Sequence, residues 1–408
     1  MQPWERRLRD LSQLLKNCES TYFDPDLFRQ NTNQFLQTSR TVTFIVQKNK
    51  ASIPNFDAWY KPNVIDAWGN DKIMTWAKNA RNVIEKEGDL DMGSELRTSL
   101  LFSHESSEDM VLSTDRTELL KANLDKLVRR ARASLPPGIA DGAVLKIERR
   151  WVANSLADHE LGQALIYIYG RMHKICETLS GHLGYKLDTS IPHPIALGSI
   201  AQDPGATRYM RLNKQGVGRS KSFFVSRDKD YAAPSEILEL AKEVKSSPKP
   251  TSLKEVHDLH TKMARITFEV NGNHVPMLFL YDDHWKQIDF ISTAFTHQSD
   301  KFIFWRTIAE RAASLRASAL IWTSEVWIRD MKDPLNLPIG QMPIVGEKLQ
   351  VIGLDVSDGY EMTSFDITRA SPTSKPALGL AIEKEGFADA KQIFFAAPVL
   401  AAMRAVRS

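Results

Sequence analysis

Cysteine is nearly absent from this chain. Only Cys18 and Cys176 occur among 408 residues, far apart and in no metal-like or redox-like spacing. That excludes a disulfide framework and points to a reducing compartment. Long hydrophobic runs are missing too. The longest, Ile393 to Met403, is too short to span a bilayer and carries Pro398, and the opening Met1-Gln2-Pro3-Trp4-Glu5-Arg6-Arg7 has no apolar core of a signal peptide. A cytoplasmic protein with no membrane segment is expected. A large charge of one sign is also lacking. The net charge of +3 gives the whole molecule no electrostatic preference for nucleic acid, so any such binding must come from a local patch. There is no internal repeat or low-complexity tract, no Gly-x-Ser-x-Gly elbow, no dinucleotide fingerprint, and no strand ending in the acidic-x-Lys pattern of metal-dependent nucleases.

What is present is ordinary globular material. With 42% hydrophobic and 25% charged residues, a chain of this length forms two or three domains with substantial cores. From Pro25 to Val46, Phe28, Phe35, Leu36, Val42, Ile45 and Val46 fall on one side of a helix, and Arg29, Asn33, Gln37 and Arg40 on another. After an aromatic connection over residues 53–68, Asp71 occupies an N-cap position. It precedes Ile73, Trp76, Ala77, Ala80, Val83 and Ile84 at helical spacing, and Gly88 suits the stop. Two-residue alternation over 96–102 and 143–151 predicts strands, and helices are predicted over 115–134 and about 157–183.

Residues 184–253 read as irregular, with many prolines and the domain boundary among them. Beyond them, 263–270 and 275–281 read as a hairpin turning at Asn271-Gly272-Asn273. A helix near 302–315 follows, then strands at 319–328, 349–356 and 361–368, the last two joined at Ser357-Asp358-Gly359. The expected fold class is α+β and multidomain. A mostly helical region with a small antiparallel sheet (1–190) leads through an irregular basic linker (191–252) to an α+β domain (253–408).

The helix ending at Gly88 carries Arg81-Asn82 and, after a few residues, Lys86-Glu87-Gly88. This resembles the HEPN superfamily, whose usual motif is Arg, often followed by Asn, then His leading into an acidic-Gly pair. The resemblance covers roughly residues 20–90 and implies a helical bundle, RNA as a partner and a setting in bacterial antiviral defence or toxin–antitoxin systems. Lys86 stands where the family has histidine. A lysine can hold a phosphate but is a poor proton acceptor near neutral pH, so the resemblance implies binding rather than cleavage. The plainer alternative pairs Arg81 with Glu85 one turn on and leaves Lys86 at the helix end. Arg97 and His104 repeat the family spacing, but on a strand they would point to opposite faces.

The segment 207–227 carries Arg208, Arg211, Lys214, Arg219, Lys221 and Arg227 with no acidic residue, interleaved with Tyr209, Phe223, Phe224 and glycines. Basic groups near flexible backbone and aromatic faces suit phosphate tracking and base stacking; a solvated loop or a pairing surface for another subunit is the alternative. His173 and Glu177 could share a metal, but no third ligand is fixed by spacing. Asp282, Asp283, His284, His297 and Glu325 specify no set either. Trp285, Trp305, Trp322 and Trp327 suit core or interface better than a ligand cage.

The expected function is nucleic-acid or partner binding, with Arg81, Lys86, Arg208, Arg211, Lys214, Arg219, Lys221 and Arg227 as contacts. One competing reading is a metal-independent ribonuclease using Arg81 and His104, the latter across a homodimer. The other is a scaffold whose tryptophan-rich C-terminal domain recruits a protein. No cofactor is called for.

Overall fold

The computed structural model describes residues 1–104, 110–112, 124–197, 206–213, 216–218, 222–223, 232–246, 248–371, 374–384 and 389–407. Its contacts divide the chain into two compact units. The first joins Met1–Thr98, Val111–Leu127 and Lys146–Arg208; the second joins Ser99–Met110, Val128–Leu145 and Tyr209–Ser408.

In the first unit, helices α1 (Pro3–Thr21), α2 (Pro25–Lys48), α3 (Lys72–Glu87) and α4 (Leu161–His182) pack on one another. Each start follows from its cap. Asp24 and Asp71 accept from the amides of Leu27 and Met74 at the heads of α2 and α3, and Glu160 accepts from Gln163 at the head of α4. Gly88, at φ +99°, stops α3 in a conformation that side chains disfavour. The expected α2, α3 and α4 are therefore present. Helix α1 had no counterpart in the sequence reading, although Trp4, Leu8, Leu11, Leu15 and Cys18 recur at helical spacing and are all buried. Both cysteines are buried and free.

The five-stranded antiparallel sheet runs in the order β2-β1-β3-β4-β5, with β1 Met92–Leu101, β2 Met110–Leu112, β3 Val144–Ala153, β4 Ala206–Arg211 and β5 Gly216–Gly218. Along β3, Leu145, Ile147, Arg149, Trp151 and Ala153 are buried in strict alternation. Within the stretch read as irregular lie β4, β5 and helix α5 (Ser235–Ser246). The helix predicted over 115–134 is present at Leu124–Ala133; its earlier part falls outside the described residues.

The second unit holds a seven-stranded sheet in the order β12-β11-β10-β9-β7-β8-β6. Its strands are β6 Ser222–Phe223, β7 Met277–Tyr281, β8 Gln287–Thr293, β9 Ala319–Arg329, β10 Ile344–Asp355, β11 Tyr360–Thr368 and β12 Ala377–Glu383. Helices α6 (Leu253–Asn271), α7 (Gln298–Ser314) and α8 (Ala397–Ala405) cover it. Alternate side chains along β9 and β10 feed two separate cores. Leu320, Trp322, Ile352 and Leu354 pack with α7 and α8, while Ala319, Ile321, Leu349 and Val351 pack with Val256, Ala264 and Phe268 of α6.

One predicted element is corrected. Residues 263–270 are not a strand but the second half of α6. Ser252 caps its start, and Gly272, at φ +73°, is its left-handed stop rather than a hairpin turn. The β-rich Ile266-Thr267-Phe268-Glu269-Val270 imitates alternation, but burial of Val256, Ala264 and Phe268 at helical spacing decides the outcome. Strand β7 instead pairs with β8, through a turn in which Asp282 accepts from the amides of His284 (3.0 Å) and Lys286 (2.9 Å). The predicted turn at Ser357-Asp358-Gly359 is present between β10 and β11, held by Asp355 through the amides of Ser357 and Gly359, both 2.8 Å.

Candidate functional site

The described residues among those expected to hold phosphate lie on separate elements: Arg81 and Lys86 on α3, and Arg208 and Arg211 on β4. On α3, Arg81 forms an ion pair with Glu85, donates to Asn82 Oδ1 (3.2 Å) and lies 5.5 Å from the Phe44 ring centroid. Lys86 is exposed, and five residues further along a helix it projects roughly 140° away from Arg81. Asp89 is held by Arg29 (2.5 Å) and by Asn33 Nδ2 (2.6 Å) of α2. Asn33, placed on the polar side of α2 by its sequence, is thus buried as a clamp on the chain leaving α3. The stretch that suggested a motif is a helix end tied down by ordinary pairs.

His104 belongs to the second unit and Arg81 to the first. The His104 ring lies 4.3 Å from Phe302, and burial, with Lys301 and Arg306 nearby, pushes its pKa down to about 4. Arg97 pairs with Glu148 at 3.9 Å. In the basic segment, Arg208 stacks over Phe23 at 4.3 Å, and Arg211 pairs with the buried Asp300. Lys214, Arg219, Lys221 and Arg227 lie outside the described residues.

Two constellations look chemical and are structural. The first is around His297, whose ring sits 2.9 Å from Ser299 Oγ on one side and 3.0 Å from Asp141 Oδ2 on the other, an apparent triad. Ser299 is 0% exposed, and His297 is the N-cap of α7 in a capping box with Asp300, so no substrate reaches the hydroxyl. The second is Arg149, 1% exposed, whose Nη1 donates to the Phe23 carbonyl (3.2 Å) while Nε and Nη2 have no partner. Beside it, the Tyr22 hydroxyl lies 2.8 Å from the buried Glu160 and 3.0 Å from the Arg149 carbonyl.

The suggested metal residues disperse likewise. Glu177 pairs with Lys174 (2.9 Å), His173 packs edge-on to His193 at 5.2 Å, Asp282 builds the β7–β8 turn, and Glu325 accepts from the His274 amide. Among the described residues, no group of three or more His, Cys, Asp or Glu side chains is placed to hold a metal. No described helix is long and apolar enough to cross a membrane.

What the sequence reading missed is a surface. At the far end of β9 and β10, Trp327 (59% exposed), Ile328, Met331, Leu335 (53%), Leu337, Ile344 and Val345 (63%) all stand in solvent within one hairpin. The hairpin is held rigid by its own bonds. Arg329 Nη1 donates to the carbonyls of Met342 (2.6 Å) and Gly340 (3.3 Å), Asp330 N to Pro343 O (3.0 Å) and Leu337 N to Asp333 O (3.0 Å). At its flank Gly138 N donates to Leu335 O at 2.8 Å. A register shift between Ile344 and Gly346 turns Val345 outward. In sequence these residues look like any strand pair; only the absence of a covering layer marks them.

A model of the bacteriophage lambda protein ea47 family matches residues 1–200 and 217–403. The chain is also 43% identical over 376 residues to protein ea47 of Escherichia phage lambda, covering 92% of this chain and 91% of that protein. The chain belongs to the phage lambda ea47 family. No solved structure matches it. Membership of the ea47 family corrects the HEPN resemblance, because one family accounts for nearly the whole chain, residues 20–90 included. The four-residue likeness around Arg81 is a chance product of a capped, charge-paired helix end. The defence and toxin setting that rested on that resemblance falls with it.

Proposed function

We propose that this ea47-family protein is a protein-binding module that works through the β9–β10 hairpin, and that its first partner is a second copy of itself. The observation that carries this is the set of seven large apolar side chains exposed on one internally bonded hairpin. Scattered apolar exposure is normal; seven such side chains gathered on one internally bonded hairpin are more than scatter. Exposed Trp is among the side chains that dominate binding energy.

The charges around the patch favour self-association. Arg329 and Lys332 alternate with Asp330 and Asp333 along the turn, so residues 329–333 carry no net charge. A two-fold arrangement can set cation against anion without selecting a charged stranger. Sedimentation equilibrium of the full chain should show a dimer at micromolar concentration. Trp327→Asp or Val345→Glu should return it to monomer with an unchanged circular dichroism spectrum. A wild-type protein that stays monomeric at tens of micromolar overturns the self-association reading.

A further inference from the structure

In the first unit, Arg40 of α2 and Arg81 of α3 share one aromatic ring. Their guanidinium carbons lie 4.6 and 5.5 Å from the Phe44 centroid, and Arg40 is also 5.5 Å from that of Trp68. Phe44 is 41% exposed, so the cluster opens to solvent. Arg81 has its carboxylate, Glu85. Arg40 has none among the described residues. It donates to Thr43 Oγ1 (3.1 Å), is half-buried, and faces Tyr60 and the second guanidinium. Burial is the main influence lowering the Arg40 pKa, with Arg81 adding to it and Tyr60 opposing.

Two like charges brought together in a partly desolvated corner, with one carboxylate between them, leave a standing positive potential. The surroundings add one further donor: Trp68 Nε1 is buried with no acceptor. The wall leading from Tyr60 to Trp68 is a π-helical turn, Lys61–Asp66, a geometry frequent at functional sites.

We propose that Arg40 and Arg81, flanked by Phe44 and Tyr60, form a binding site for a phosphoryl anion. A carboxylate matches one guanidinium fork in one plane. A tetrahedral phosphoryl group offers oxygens in several planes and can accept from two forks carried by different helices. The site lies in the first unit and the apolar hairpin in the second, so either proposal can fail without the other.

The test is titration calorimetry of the full chain with inorganic phosphate, using acetate and chloride at equal ionic strength for comparison. Saturable binding is expected for phosphate alone. Arg40→Gln should weaken it at least about tenfold, and Lys16→Gln, an exposed charge on α1, should leave it unchanged. Glu85→Gln frees Arg81 from its counter-ion at an exposed position, and should tighten binding severalfold. A purely structural Arg81–Glu85 pair would instead show no gain. No saturable phosphate binding, equal binding of acetate, a folded Arg40→Gln protein with undiminished affinity, or no tightening in Glu85→Gln each overturns the proposal.

Discussion

At the scale of single residues, Tyr22 and Arg149 are neighbours with opposite expected consequences. Burial and then the adjacent Glu160 carboxylate push the Tyr22 hydroxyl well above its ordinary range, so it stays protonated and donates at every accessible pH. Tyr22→Phe leaves a buried Glu160 oxygen short of a donor and should cost about 1–3 kcal/mol. Arg149 is held against its own hydration. Burial pulls its pKa down to about 10, and two of its nitrogens find no acceptor. Arg149→Met retains the packing against Trp151, 5.2 Å from the guanidinium carbon, and should be neutral or stabilising. Urea denaturation midpoints of the two variants decide this; a loss in Arg149→Met as large as in Tyr22→Phe would show that the buried charge is satisfied. No sequence rule flags Arg149 as buried by its type. The alternation over 143–151 predicts the strand, and only the structure shows that Arg149 lies on its buried side with Leu145, Ile147 and Trp151.

Among elements, legibility followed the length of the periodic signal and the clarity of its caps. Helices α2, α3 and α4 carry both, and β9, β10 and β11 carry runs that fill two cores in alternation. Helix α6 reads as a strand because the β-branched and aromatic stretch Ile266–Val270 near its end outweighs the distant cap at Ser252. Position in the sheet was illegible. Leu320 and Ile328 lie on one strand with similar side chains, yet one is wholly buried and the other exposed, since only the first has a helix above it. The hairpin surface was hidden for that reason, and so was the meeting of Arg40 with Arg81, which lie on different helices. The flank of the hairpin offers a test of its rigidity. A Cβ on Gly138 would come within 2.8 Å of the carbonyl oxygens of Pro334, Leu335 and Leu337, none of which can rotate away. Gly138→Ala should therefore cost about 1–3 kcal/mol and loosen the apolar hairpin. Hydrogen exchange should show faster amide exchange over 330–343, with dimerisation weakened although no exposed side chain has changed. Unaltered exchange would mean that the short helix Pro137–Gly142 does not brace the hairpin.

For the whole molecule, the buried histidines set the response to acid. Burial, the leading cause in each case, lowers the pKa of His104, His260 and His274 to about 4, and lowers those of His257 and His173 as well. His260 is held neutral by its setting: its Nε2 lies 2.6 Å from the Tyr281 hydroxyl, and His257 and His274 oppose its charge. The sign follows from which state takes protons. The unfolded chain binds them near pH 6.5, while the folded chain refuses them until about pH 4, so stability is full above pH 6.5 and declines as pH falls between the two. His104, His260 and His274 each remove up to roughly 3 kcal/mol across that window. Between pH 6.5 and 5, ordinary carboxylates remain largely ionised, so a fall in unfolding free energy there belongs to histidine. Four of the five groups, His104, His257, His260 and His274, lie in the second unit, which should be the acid-sensitive one. Guanidinium titrations at pH 7.5, 6 and 5 should show a stability that drops by several kcal/mol, and His260→Gln should flatten part of the slope. A stability unchanged from pH 7.5 to 5 would mean that these rings already reach water in the folded protein.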